Sequence, residues 1–184
     1  MEARVQRLND RGRVDELMPT RLLRETGVAK GIICVDLGSG TGVFAFPMAD
    51  LVGETGLVYA VDSSAGMIDY LRNTALRPNL RLIQADAGHT GLDGEIADFC
   101  LLAFILHEVS DPEAILAETS RILKPGGKAA VVEWRMDARR GPAPQIRIPK
   151  EKALRLLEQD GFAVIKQQDW SPNHYVIIGQ KKVT

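Results

Sequence analysis

The stretch VDLGSGTG, residues 35–42, sets an acid, Asp36, just ahead of three glycines at every second position, Gly38, Gly40 and Gly42. A glycine-rich turn after a strand usually cradles a phosphate through its backbone N–H groups. This loop instead leaves directly from a carboxylate, which repels an anion and attracts an ammonium or other cation. The glycine spacing also differs from the dinucleotide pattern GxGxxG, whose third glycine falls at Val43. Asp62 lies 20 residues beyond Gly42, the spacing at which an acid meets a ribose hydroxyl. Asp86 and Glu133 are two more acids at or near strand ends. An adenosine ligand carrying an amino acid and a positive charge suits this set better than a pyrophosphate does.

His107 and Glu108 form a second point of interest. The ordinary pKa of histidine lies near neutrality, so His107 suits general-base work. It equally suits orienting a substrate or bonding a backbone carbonyl. Cys34 and Cys100 sit inside apolar runs and read as buried thiols, not as a disulfide or metal pair. His89, His107 and His174 are scattered, and neither CxxC nor HExxH spacing occurs, so no metal site is expected.

The elements that must hold these residues alternate between strand and helix. Strands are expected at 32–36, 57–61, 80–84, 98–106 and 128–134. The fourth is apolar on both faces, as a central parallel strand covered by helices must be. Helices are expected at 43–51, after a Ser63 or Ser64 cap with Met67, Ile68 and Leu71 on one face, from the Asp111-Pro112 cap to Pro125-Gly126-Gly127, and at 150–160 closed by Gly161. Two last strands, 162–167 and 175–179, are separated by too short a turn for a crossover and must form an antiparallel hairpin. The result is an α/β fold: a single Rossmann-like, doubly wound, seven-stranded sheet, mostly parallel, with its last strand antiparallel and helices on both faces. One domain spans 1–184, with a helical cap at 1–30, a cofactor-binding core at 31–134 and a substrate-side region at 135–184.

VDLGSGTG, VYAVDSS, QADA, ADFCLLAFILHEV and LKPGG, in that order, resemble the motifs of class I S-adenosylmethionine-dependent methyltransferases. The resemblance runs from about residue 17 to the C-terminus. It is nearest to small bacterial members related to the ubiquinone/menaquinone-biosynthesis group. It implies transfer of a methyl from S-adenosylmethionine to a small molecule, leaving S-adenosylhomocysteine. It implies that Asp36 helps hold the methionine ammonium, partly through water, and that Gly38, Ser39 and Gly40 let the backbone pass close to the ligand. It implies Asp62 on both ribose hydroxyls, Ser63 and Met67 against the adenine, Asp86 at the adenine amino group and Ala87 offering its N–H to the ring. It sets Ala103 and Phe104 beside the methionine arm and the transferring methyl, with His107 and Glu108 where the acceptor approaches.

The acceptor pocket is expected between the N-terminal region (Arg13, Met18, Leu22), the segment after strand four and the loop RMDARRGPAPQIRIPK. That loop carries Arg135, Arg139, Arg140, Arg147 and Lys150 against one acid, Asp137, and suits either an anionic substrate or a solvated surface. Too few thiols exist for an arsenite methyltransferase, and no basic face or NPPY motif points to DNA. The net charge of −1 draws neither nucleic acid nor anionic membrane. The N-terminal residues lack the apolar stretch of a secretory signal, and no run approaches the roughly 18 apolar residues of a membrane span. A soluble cytoplasmic protein follows, with a homodimer as one way to complete the site. The rival functions are a non-catalytic S-adenosylmethionine-binding or assembly protein and a nicotinamide-dependent oxidoreductase. Against the latter, none of Tyr59, Tyr70 and Tyr175 is followed by lysine at the fourth position.

Overall fold

A computed structural model describes residues 1–74 and 77–183. Three short helices open the chain: α1 (Glu2–Leu8), α2 (Arg11–Leu17) and α3 (Pro19–Thr26). The sheet follows: β1 (Ile33–Leu37), β2 (Leu57–Asp62), β3 (Leu80–Gln84), β4 (Ala97–Ala103), β5 (Leu123–Trp134), β6 (Phe162–Asp169) and β7 (His174–Lys181). Its crossovers carry α4 (Ala45–Val52), α5 (Ala65–Thr74), α6 (Pro112–Ile122) and α7 (Lys150–Gln159). The strand order is β3-β2-β1-β4-β5-β7-β6. Strands β1 to β5 pair in parallel, and β7 runs antiparallel to both β5 and β6. The expected seven-stranded sheet and closing hairpin are therefore present.

The period-2 alternation of the strands splits the core between two faces. Cys34, Phe99, Leu101, Ala130 and Val132 pack with α3 and α4 on one side. Val35, Cys100, Leu102, Ala129 and Val131 pack with α6 and α7 on the other. Both cysteines are buried free thiols, and burial pushes each thiol well above its ordinary pKa. Asp111 caps α6 by accepting from the Ala114 N–H at 3.0 Å, with Pro112 at the first turn, as its residue types require.

Two strand ends differ from expectation by three residues or more. β4 stops at Ala103 instead of running to 106, because Phe104 adopts a left-handed φ of 59°. β5 begins at Leu123 instead of 128: Ala97 pairs with Leu123, Phe99 pairs with Lys128, and Lys124-Pro125-Gly126-Gly127 bulges out between them. Among the described residues, no helix is long and apolar enough to cross a membrane.

Candidate active site

Strand order reverses between β1 and β4, so the crevice beyond their carboxyl ends is where such a sheet binds ligands. A continuous groove lies there in three parts. The first part, about 240 Å³, is walled by Asp62, Ser63, Ala85, Asp86, Ala87 and Ile105. A narrow middle of about 60 Å³ runs past Asp36, Gly38, Ser39, Gly40 and Ala103. Beyond it opens a chamber of about 450 Å³, walled by Arg13, His107, Trp134, Arg140 and residues of α1. Phe104 and Glu108 border all three parts.

The expected cofactor residues therefore gather along one groove, with one exception. Met67, expected against the adenine, has no exposed surface and does not line the groove. Asp62 accepts from the Gly40 N–H and the Ser64 N–H, each at 2.9 Å, tying the glycine loop to the start of α5. Each carboxylate oxygen keeps a second lone pair for a ligand hydroxyl. Asp86 is exposed and accepts from the Gly88 N–H at 2.8 Å.

Asp36 is 2% exposed and Ser39 is 7% exposed. Asp36 Oδ2 and Ser39 Oγ are both buried without a hydrogen-bond partner. Burial first, and the charge of Asp62 second, push the Asp36 carboxyl up to about 7, with a backbone hydrogen bond from Ala45 pulling the other way. An orphaned carboxylate oxygen and an orphaned hydroxyl, both lining the narrow middle of the groove, match what the ammonium and carboxylate of an amino acid need. The residues present fit S-adenosylmethionine.

The chamber has an aromatic back wall. Phe104 and Trp134 stand 5.3 Å apart between ring centroids, and His174 lies 5.2 Å from the first and 4.4 Å from the second. Burial holds the His174 pKa down to about 4, against Glu16, so this ring is neutral. Gly141, at a φ of 97°, brings its backbone flat onto Trp134; an added Cβ would meet the indole at 2.6 Å. The Arg13 guanidinium stacks 4.9 Å from the Phe104 ring and donates to the Leu8 carbonyl. Burial, helped by Arg7, lowers its pKa to about 10, which still leaves it charged.

His107 does not pair with Glu108, although the two are adjacent in sequence. Its Nδ1 lies 2.8 Å from Glu133 Oε2, and its ring is 5% exposed. Glu108 is half exposed and faces Arg4 of α1 at 3.5 Å across the groove. Burial disfavours the charged imidazole most, but the Glu133 hydrogen bond and the charges of Glu133 and Glu108 outweigh it and raise the His107 pKa.

Most of the basic loop serves structure. Arg147 is buried and donates to the carbonyls of Arg135, Met136, Ala138, Arg140 and Pro142 at 2.9–3.2 Å, which fixes the loop. Arg135 pairs with Asp137 and Asp169, and Lys150 with Asp169. Of the five cations, only Arg140 walls the chamber. On the N-terminal side Arg13 walls it as expected, whereas Leu22 is core and Met18 borders a separate surface hollow. Sequence reading missed the α1 wall and the Glu133 partnership. The signal for the latter was present: an acid inside the apolar run AAVVEW must be buried, and a buried acid needs partners.

A model of the methyltransferase-domain family matches residues 35–131. The ubiquinone/menaquinone biosynthesis C-methyltransferase UbiE of Haemophilus ducreyi is 36% identical over 113 residues, 59% of this chain and 44% of that protein. A demethylmenaquinone methyltransferase of Staphylococcus aureus is 32% identical over 114 residues, 61% of this chain and 47% of that one. The chain thus spans less than half the length of these curated relatives. A crystal structure of a SAM-dependent methyltransferase from Aquifex aeolicus superposes with a TM-score of 0.91 at 26% identity, covering 97% of both chains. The [4+2]-cyclase SpnF shares the fold alone, with a TM-score of 0.78 at 18% identity over 92% of this chain and 81% of that one.

Proposed function

The chain belongs to the methyltransferase-domain family, among the class I S-adenosylmethionine-dependent methyltransferases, and we propose that it methylates a small molecule held in the chamber beyond Phe104. The observation that carries this reading is the pair of buried, unpartnered polar atoms, Asp36 Oδ2 and Ser39 Oγ, midway between an adenosine-sized hollow and a separate chamber.

S-adenosylmethionine supplies an electrophilic methyl on a positively charged sulfur and leaves as S-adenosylhomocysteine. In this reading Asp36 accepts from the amino group, and the backbone of Gly38, Ser39 and Gly40 follows the tail. Asp62 accepts from the ribose hydroxyls, Ser63 runs along the adenine, and Asp86 and Ala87 meet its edge. Ala103 and Phe104 separate the cofactor from the acceptor. Methyl transfer depends chiefly on an in-line approach of the nucleophile. The left-handed Phe104 suits that demand: a strained residue at the junction of all three hollows fixes where one ligand ends and the other begins. His107 faces the acceptor as its base, and Glu108 closes the mouth with Arg4.

The names of the two curated relatives favour quinone-like acceptors, and Arg13 and Arg140 favour anionic ones. The test is incubation with S-adenosylmethionine and a panel of small quinols, phenols and aromatic carboxylates, read by mass spectrometry. A compound that gains one methyl with the wild type, and not with Asp36→Asn, is the expected result. A protein that binds S-adenosylhomocysteine yet methylates nothing in the panel would favour a binding or assembly role.

A further inference from the structure

Glu133 has no exposed surface and sits next to last in β5, among apolar neighbours. It gathers three donors. His107 Nδ1 lies 2.8 Å from Oε2, the His107 backbone N–H 3.3 Å from Oε1, and the Trp134 backbone N–H 3.3 Å from Oε2. Two backbone N–H groups already donate to this carboxyl, and a carboxylate only accepts. The ring proton of His107 therefore stands on Nδ1. The other ring nitrogen, Nε2, has no protein partner among the described residues, and His107 forms part of the chamber wall.

We propose that Glu133 is the positioning residue of the site: it holds His107 in the Nδ1–H tautomer and presents a bare Nε2 to the chamber, which selects acceptors whose nucleophilic atom carries a proton. This rests on the methyltransferase reading for its purpose, but the geometry belongs to the protein alone. The acceptor's X–H bond breaks, the proton joins Nε2, and the electron pair stays on X as the nucleophile. The imidazolium so formed is stabilised by the Glu133 carboxylate at its other nitrogen, so neither charge is left buried alone. An acceptor without such a proton, such as a thioether or tertiary amine, gains nothing from this arrangement.

The charges around the ring are few and can be assigned. Glu133 lies behind it on β5 and Glu108 follows it in the chain. Arg7 on α1, Asp10 and Arg13 at the start of α2, and Arg140 on the basic loop share its chamber. Burial opposes protonation most, and the two nearest acids, Glu133 and Glu108, favour it. The tautomer depends on the Glu133 contact, because among the described residues only Glu133 bonds the ring.

The test is long-range ¹H–¹⁵N correlation of the histidine rings across pH, on protein saturated with S-adenosylhomocysteine, with His107→Ala for assignment. Wild type should show His107 as the Nδ1–H tautomer when neutral, titrating above the ordinary histidine value of about 6.5. Glu133→Gln should lower its proton affinity about tenfold or more and mix the tautomers, while S-adenosylhomocysteine affinity changes less than threefold. An Nε2–H tautomer in the wild type, or an unchanged titration in Glu133→Gln, would overturn the proposal. The wild-type tautomer decides it even if the variant does not fold. If S-adenosylhomocysteine does not bind, the methyltransferase reading fails, and the same spectra of ligand-free protein still decide the tautomer.

Discussion

Asp36→Asn is expected to raise the melting temperature of the ligand-free protein above neutral pH while weakening S-adenosylhomocysteine binding about 10- to 100-fold. The two effects share one cause. The folded carboxyl titrates near 7, raised from 3.8, with burial the largest reason and Asp62 the next. A carboxyl whose folded pKa is raised costs no stability below its unfolded value, because it is protonated in both states. The cost grows as pH climbs from about 4 to 7 and is complete above 7, where folding must bury a charge. Asparagine has no charge to bury, so the variant should gain on the order of 4 kcal/mol at pH 8 and little at pH 4. The binding loss reflects a missing charge-assisted hydrogen bond, worth about 1.5–3 kcal/mol. Thermal melts at pH 5 and pH 8, with calorimetric titration at pH 8, read both. A variant that melts lower than wild type at pH 8, or binds equally well, would show that Asp36 serves the fold and not a ligand.

Gly42→Ala is expected to cost about 2–5 kcal/mol of stability, enough to unfold much of the protein at 37 °C. Gly42 has a φ of 81°, a region that costs a side-chain-bearing residue roughly 1–2 kcal/mol. An added Cβ would also sit 2.6 Å from Phe46 and 2.7 Å from Leu71, and overpacking of that kind adds about 1–3 kcal/mol. Gly91 isolates the first term. Its φ is 73°, but nothing lies within 4 Å of its Cβ position. Gly91→Ala should therefore lose only the backbone share. Urea denaturation of the two variants measures the difference. Equal losses would mean that the glycine loop is not packed against α4 and α5 as described.

The same crowding explains what a reader of the sequence can and cannot extract. Period-2 apolar runs and capped helices are local signals, so the parallel strands, the Asp111 cap and the hairpin were all legible. The carboxyl-end acids were legible too, because a strand ending in Asp36 or Asp62 delivers its last side chain to one edge of the sheet. Boundaries set by a single φ were not. Phe104 ends β4 three residues early by turning left-handed, and no residue type announces that turn in a phenylalanine. Partners distant in sequence were equally hidden. His107 is next to Glu108 in the chain but bonds Glu133, 26 residues away, because adjacent residues after a strand point in different directions.

The basic loop shows a further limit. Five cations in sequence look alike, yet Arg147 turns inward to five carbonyls while Arg140 faces the chamber. Only the folded path of the loop separates a scaffold arginine from one that meets a ligand. The N-terminal wall was partly legible, through Arg13. Its α1 share was not, since the seven residues of that helix bury no side chain fully and carry no motif.

The most direct measurement is calorimetric titration of the protein with S-adenosylhomocysteine, with NAD run in parallel. Binding of S-adenosylhomocysteine at one site per chain, without binding of NAD, is the expected result, because Asp36 beneath the glycine loop attracts an ammonium and repels a pyrophosphate. Binding of NAD alone would contradict the role given to Asp36, and binding of neither would contradict the assignment of the groove to a cofactor.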